Sequence, residues 1–195
     1  VEFLDLQDML VVGWSLGGQV LLKAFAELQA RLSGLVLVGV TPRFTSAPQF
    51  PYGLSANEAE GMRLKVRRNL ERALAGFQRQ LFVAGELGDP DQAALAHSVL
   101  SEVVPPTVAA ALDGLEALMT VEMLQEARRI SCPVLLLHGD QDPICLPQAS
   151  TWLNQTIPGS QCLFYPGCGH APFLSRPEQF NKDLLQFAGG LQDGC

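Results

Sequence analysis

Apolar positions along this chain fall into two textures. Met9-Leu-Val-Val12 and Leu35-Val-Leu-Val-Gly-Val40 are short apolar runs of the kind that form strands buried on both faces. Between them, over Gln19 to Arg31, Val20, Leu21, Ala24, Phe25 and Leu28 recur at helical spacing and predict an amphipathic helix. Strand, helix, strand in this order is a βαβ unit, and such units build parallel sheet. Thr41-Pro42 closes the second run, because proline cannot donate to a strand ladder.

From Pro42 to about Arg129 the pattern changes. Pro42, Pro48 and Pro51 break the first part into loop. Helical segments are expected at about 56–84, 90–103 and 106–127, separated by Gly85, Gly88, Pro90, Pro105 and Pro106. No convincing alternating run occurs here, so the region reads as a helical insertion. Sheet texture returns with Pro133-Val-Leu-Leu-Leu137, followed by the loop His138–Pro143 and a helix at about 146–156. A strand at Gln161 to Tyr165, the loop Pro166–His170 and a helix from about Pro177 to Phe187 complete the chain. Ser175-Arg-Pro-Glu178 has the form of a capping box with an early proline. The expected fold is α/β, a mostly parallel sheet with helices on both faces. Its expected divisions are core over 1–41, helical lid over 42–129 and core again over 130–195.

Composition narrows the function. At 195 residues, 48% hydrophobic and 17% charged, the chain has the balance of a globular domain carrying an insertion. A formal net charge of −7 speaks against nucleic acid as the main partner. No apolar run is long enough to span a bilayer, and no signal peptide is visible, although the chain begins at Val1 rather than Met. Cys132, Cys145, Cys162, Cys168 and Cys195 form no C-x-x-C pair and are odd in number, the pattern expected of free thiols in the cytoplasm. No histidine or carboxylate cluster accompanies them at ligand spacing, so neither a metal nor an organic cofactor is expected.

Chemistry enters at Gly13-Trp14-Ser15-Leu16-Gly17, a G-x-S-x-G sequence between the first strand and the first helix. A strand that reverses into a helix within about one residue leaves the serine at the tip of a strained turn, and the flanking glycines are expected to remove colliding side chains. The hydroxyl then sits at a helix N-terminus, where the Leu16 N–H is placed to hold a developing oxyanion. Serine needs a base, and the base needs an orienting acid. Among the three histidines, His97 falls in the insertion and His138 precedes every suitable acid, leaving His170 in the loop after the last strand. The loop after Leu137 offers Asp140 and Asp142. Asp142, with Pro143 behind it, is favoured as the acid, and Asp140 as a loop-shaping hydrogen bonder.

Gly13-Trp-Ser-Leu-Gly-Gly18, Gly139-x-x-Asp142 with Pro147 after it, and Gly169-His-Ala-Pro-Phe173 together resemble the α/β-hydrolase esterases. More narrowly, they are similar to the pimeloyl-[acyl-carrier protein] methyl ester esterases of biotin synthesis, a likeness running from about Leu10 to the C-terminus. The resemblance implies a serine carboxylesterase with Ser15, Asp142 and His170 as the triad. It also implies strands and an oxyanion-donating loop ahead of the serine. Those elements are expected to be missing here, which would leave half the sheet and half the oxyanion hole outside this chain and the fragment poorly active. Beside the nucleophile, Leu16 is an expected substrate contact and Trp14 either a substrate contact or a packing residue under the lid, and the loosely matched segment Phe77, Gln78, Arg79, Gln80 and Leu81 is the expected acyl-pocket lining.

Arg63, Lys65, Arg67, Arg68, Arg72 and Arg79 lie within seventeen residues and are opposed there by Glu71 alone. Such local basicity in an acidic chain suggests docking of an acidic partner. The resemblance supplies one, an acyl ester carried on acyl carrier protein. Rival readings are a generic short-chain carboxylesterase or thioesterase, and C–C hydrolysis or cofactor-free haloperoxidase chemistry with the same triad. A non-catalytic binding protein on this fold is a further rival. Dehalogenases and epoxide hydrolases are disfavoured because their elbow nucleophile is aspartate.

Overall fold

The computed structural model describes residues 4–192. Four strands, β1 (Met9–Trp14), β2 (Leu32–Val38), β3 (Val134–Gly139) and β4 (Gln161–Tyr165), form one parallel sheet in the order β1-β2-β3-β4. Val12 pairs with Val36, Val36 with Leu135, and Leu136 with Cys162. The apolar runs of β2 and β3 are continuous because both faces of these central strands are covered. Leu35, Leu37, Val134 and Leu136 pack with Leu22 and Phe25 of α1 (Leu16–Leu28) and Leu153 of α7 (Gln148–Thr156). Val36, Val38, Leu135 and Leu137 pack with Phe180 and Phe187 of α9 (Pro177–Gln192).

The outer strands differ. Met9–Val12 reads as doubly buried, yet β1 is an edge strand and Val12 is 48% exposed. Leu163 and Phe164 of β4 are also exposed. β2 ends at Val38 rather than running to Val40, because Gly39 turns the chain at φ 55.

The insertion holds α2 (Ala56–Arg68), α3 (Leu70–Gln80), α4 (Pro90–Ser101), α5 (Val108–Thr120) and the short α6 (Leu124–Ala127). The segment expected as one helix over 56–84 breaks at Asn69 (φ −164, ψ 101). The Asn69 N–H closes α2 on the Lys65 carbonyl, while its side chain accepts from Arg72 N at 2.8 Å and opens α3. Asparagine competes with its own helix for backbone groups and favours the cap, which explains the break. The Ser55–Glu58 capping box starts α2. The two ends of the insertion meet: Met123 N donates to Pro42 O at 2.7 Å, and Arg43 pairs with Glu122. The capping box read at Ser175 does not form. Ser175 belongs to α8 (Pro172–Ser175), is fully buried, and donates its hydroxyl to Glu86 rather than to the start of α9.

Candidate active site

Ser15 stands between β1 and α1 at φ 52, ψ −122, one of three non-glycine residues with positive φ among those described. Two anchors hold it there. Its N–H donates to Val38 O at 2.9 Å, and its carbonyl accepts from Gly18 N and Gln19 N. Gly13 and Gly18 make the turn possible: a Cβ on Gly18 would stand 2.1 Å from a Val40 methyl, and one on Gly13 2.8 Å from Gly18 Cα. The expectation that Gly17 clears the same space is corrected, since a Cβ there meets nothing within 4 Å. Helix geometry leaves the Leu16 N–H unpaired at the start of α1.

His170 follows β4 in a loop clasped from both sides. Its N–H and that of Ala171 donate to Leu81 O, and its carbonyl accepts from Trp14 Nε1 at 2.9 Å. The Trp14 indole lies 5.4 Å from the imidazole, centroid to centroid, and meets Phe173 edge-on at 5.1 Å. Gly39 lies under the ring, its hypothetical Cβ 3.1 Å from Nδ1.

Asp142 sits in the loop after β3, its side chain wholly buried. Oδ1 accepts from Ile144 N at 2.8 Å and Cys145 N at 3.0 Å. Oδ2 accepts from His170 Nδ1 at 2.6 Å and faces His138 Nε2 at 3.1 Å. Burial alone would raise this carboxyl, but the hydrogen bonds from His138 and His170 outweigh it and hold the group at about 2. Asp142 is therefore a carboxylate throughout the neutral range. Asp140 is exposed and accepts from Gly167 N at 2.7 Å, as a loop-shaping residue would.

With Nδ1 committed to Asp142, His170 Nε2 is buried and has no hydrogen-bond partner among the described residues. The ring itself lies beside the elbow, between the indole of the residue before Ser15 and Gly39. The Ser15 hydroxyl is not bonded to it in this structure. It lies instead against the buried Cys145 thiol, which burial and the Asp142 charge push well above the usual range while Ser15 acts in the opposite direction. Nucleophile–base hydrogen bonds are often long or absent without substrate.

A groove of about 390 Å³ opens from Leu16 between α1 and the end of the insertion. Val20, Ala24, Ala117, Val121 and Met123 give it apolar walls. The segment 77–81 does not line it. Phe77 is 38% exposed on α3, Gln78 half-buried, Arg79 and Gln80 exposed, and Leu81 buried with its carbonyl engaged by the histidine loop. Of the basic cluster, Arg63 is tied to Glu60 on its own helix through two hydrogen bonds and faces Glu116 at 3.9 Å. The pairing with Glu60 removes Arg63 from the free positive surface. Lys65, Arg67, Arg68, Arg72 and Arg79 are exposed and form no ion pair among the described residues. Cys132, Cys145, Cys162 and Cys168 are free thiols, and Cys195 lies outside the described residues. No group of three or more His, Cys, Asp or Glu residues among those described is arranged to hold a metal, and no described helix is long and apolar enough to cross a membrane.

Sequence reasoning passed over four residues at this site. His138 and Cys145 contact Asp142, Ser150 backs His138, and Glu86, on the insertion, accepts from Gly169 N at 2.8 Å next to His170. The tell-tale for Glu86 is weak in sequence: an acidic residue in a glycine-flanked loop. Only the tertiary contact reveals it.

A parallel sheet with the strained serine at one βα turn, a buried Asp–His pair after the next strands and a helical insertion between them is the arrangement of the α/β-hydrolases. The profile described as alpha/beta hydrolase fold matches residues 1–177, and the chain belongs to that family. Among curated proteins it is 35% identical over 173 residues to the pimeloyl-[acyl-carrier protein] methyl ester esterase of Nitrosomonas europaea, covering 87% of this chain and 67% of that protein. It is 29% identical over 184 residues to the protein of the same name from Nitrosospira multiformis, covering 93% and 68%. The chain thus spans about two thirds of the length of these relatives. Among solved structures, an esterase from Exiguobacterium antarcticum has a TM-score of 0.86 at 23% identity, covering 95% of this chain and 68% of that one. A bromoperoxidase from Bacillus anthracis has a TM-score of 0.84 at 22% identity, covering 96% and 70%. These two likenesses are of fold.

Proposed function

We propose that the chain carries the catalytic triad of a carboxylic ester hydrolase acting on a pimeloyl-[acyl-carrier protein] methyl ester, as its curated relatives are named to do. The observation that carries the reading is the orphaned His170 Nε2, buried beside the elbow while Asp142 holds the other ring nitrogen. The Ser15 hydroxyl rotates from the Cys145 thiol toward Nε2, gives up its proton and attacks the ester carbonyl. The Leu16 N–H takes part of the oxyanion charge, and Asp142 stabilises the imidazolium. His170 returns the proton to the leaving alcohol, methanol for a methyl ester. It then takes a proton from water, which attacks the acyl-enzyme and frees the carboxylic acid and Ser15.

Trp14 acts mainly by holding the His170 carbonyl, and Leu16, next to Ser15, is the elbow residue that reaches the groove along α1. Phe77 is the apolar side chain of the 77–81 segment most available to an acyl chain. Exposed Lys65, Arg67, Arg68, Arg72 and Arg79 offer an acidic carrier protein a positive face, and a cytoplasmic setting fits such a carrier. Hydrolysis of a pimeloyl-carrier methyl ester by the protein and by Ser15→Ala tests the reading. Demethylation that disappears in the variant supports it. Ser15-dependent cleavage of p-nitrophenyl esters without any demethylation keeps the esterase and rejects the carrier-bound substrate. Ester cleavage that survives unchanged in Ser15→Ala rejects the triad.

A further inference from the structure

His138 ends β3 one residue before Gly139, fully buried, with every polar atom of its ring engaged. Its Nε2 lies 2.8 Å from Cys145 O, and a carbonyl only accepts, so Nε2 carries the hydrogen. Its Nδ1 lies 2.7 Å from Ser150 Oγ on α7. This tautomer directs Nε2–H at Asp142 Oδ2 as well, at 3.1 Å, the oxygen that also receives His170 Nδ1.

A buried core histidine would be satisfied by Ser150 and the Cys145 carbonyl alone. The third contact places two imidazoles on one carboxylate oxygen. With Ile144 N and Cys145 N on Oδ1 and His170 Nδ1 on Oδ2, the carboxylate accepts three hydrogen bonds, and His138 Nε2 adds a fourth contact at 3.1 Å. The titratable groups around His138 are Asp142, the Cys145 thiol and, across Asp142, His170; from β4 the Phe164 ring faces it at 6.4 Å. No lysine or arginine pairs with Asp142 among the described residues.

We propose that His138 is a positioning residue for hydrolysis. Held in place by Ser150 with its Nε2–H beside Oδ2, it orients the Asp142 carboxylate and takes part of its charge, setting how strongly Asp142 pulls on the Nδ1 hydrogen of His170. The inference rests on the triad reading above.

The test compares His138→Asn with His138→Gln. Asparagine places its amide where Nδ1 meets Ser150, whereas glutamine extends an N–H to the place of Nε2. Loss of a hydrogen bond to a charged group is expected to lower kcat in His138→Asn by about tenfold to a hundredfold with KM little changed. The acid limb of kcat/KM is expected to move to higher pH, because a less satisfied Asp142 draws the proton onto His170 more strongly. His138→Gln is expected to restore both. Rates are taken per site titrated with a fluorophosphonate, which removes unfolded protein from the comparison. NMR of the three histidine rings follows proton uptake at His170 whether or not the chain turns over. An acid limb and a His170 titration unmoved in His138→Asn overturn the proposal, as does a glutamine variant no better than the asparagine one. Should His138→Asn not fold, Ser150→Ala releases the ring by removing a single oxygen, and wild-type kcat in that variant overturns it. Ser15→Ala separates the two readings. Turnover surviving that change sinks the triad, whereas turnover lost there with His138→Asn unaltered sinks only the role of His138.

Discussion

Ser15 is held in a backbone conformation that costs a residue with a Cβ about 1–3 kcal/mol, and its surroundings over-determine it. The same economy of space appears at Gly139, where a Cβ would come within 1.9 Å of Gly169 O and 2.4 Å of Cys168 O. The histidine loop can lie on the end of β3 only because that side chain is missing. Gly139→Ala is therefore expected to destabilise the protein by about 3 kcal/mol or more, as forced overpacking does, while Gly17→Ala leaves stability unchanged or raises it by up to about 1 kcal/mol through helix propensity. Urea denaturation of the two variants measures the contrast, and equal midpoints would contradict the close approach. Asp142 adds a pH dependence with a definite sign. Its carboxyl is held at about 2 against an ordinary 3.8, so its contribution to stability is complete above about pH 4 and is lost as pH falls toward 2. Asp142→Asn should flatten that part of the stability curve, and a wild-type curve without that fall would contradict the grip on Asp142.

The insertion and the histidine loop are joined by more than packing. Glu86 Oε2 accepts from Val83 N and Gly169 N, each at 2.8 Å, while Oε1 takes the Ser175 hydroxyl; Leu81 O takes the N–H groups of His170 and Ala171. The segment between α3 and α4 thus acts as a clasp on the element that carries the base. Glu86→Ala strands several buried donors, and the expected loss is about 2–4 kcal/mol. Loosening the clasp should lower kcat more than it raises KM, because it displaces His170 and leaves the groove at Leu16 intact. By contrast, Glu58→Ala at the exposed capping box of α2 is expected to cost about 1 kcal/mol or less and to leave kcat unchanged. Thermal melts and Michaelis kinetics on this pair check both statements. A Glu86 variant with wild-type kcat would show that the clasp only stabilises.

Charge is distributed unevenly over the whole molecule. The chain is acidic overall at −7, yet α2 and α3 present five exposed cations that form no ion pair among the described residues. An acidic partner meeting that face would be steered by a field that salt screens over about 10 Å at 0.1 M. Reversing Arg67, Arg68 and Arg72 to glutamate is expected to raise KM for a carrier-bound ester severalfold and to weaken its salt dependence. Hydrolysis of a small p-nitrophenyl ester should be unaffected. Equal effects on both substrates would remove the docking role from this face. Arg63, bound to Glu60, should contribute little to either.

The βαβ order, the serine elbow, the helical character of the insertion and the loops bearing Asp142 and His170 were legible in the amino-acid order, because each depends on local periodicity or on residues a few positions apart. The break at Asn69 was legible in principle, since asparagine competes with its own helix, but reading 56–84 as continuous overlooked it. Other features had no local signal at all. The exposure of Val12 depends on β1 standing at the sheet edge, and an apolar run looks the same at an edge as at the centre. Ser175 has a capping-box pattern but is drawn to Glu86, 89 residues away in the chain. His138 was set aside because its order along the chain excluded it as the base. That order says nothing of which side chains converge on the Asp142 carboxylate, a matter decided by the packing of β3, the loop after it and α7. The sequence by itself determined the kind of chemistry and the elements that carry it, since local backbone preferences and residue types suffice for that. Only the tertiary structure decided which buried polar groups satisfy one another, because a buried donor or acceptor takes its partner from whatever the fold brings within about 3 Å.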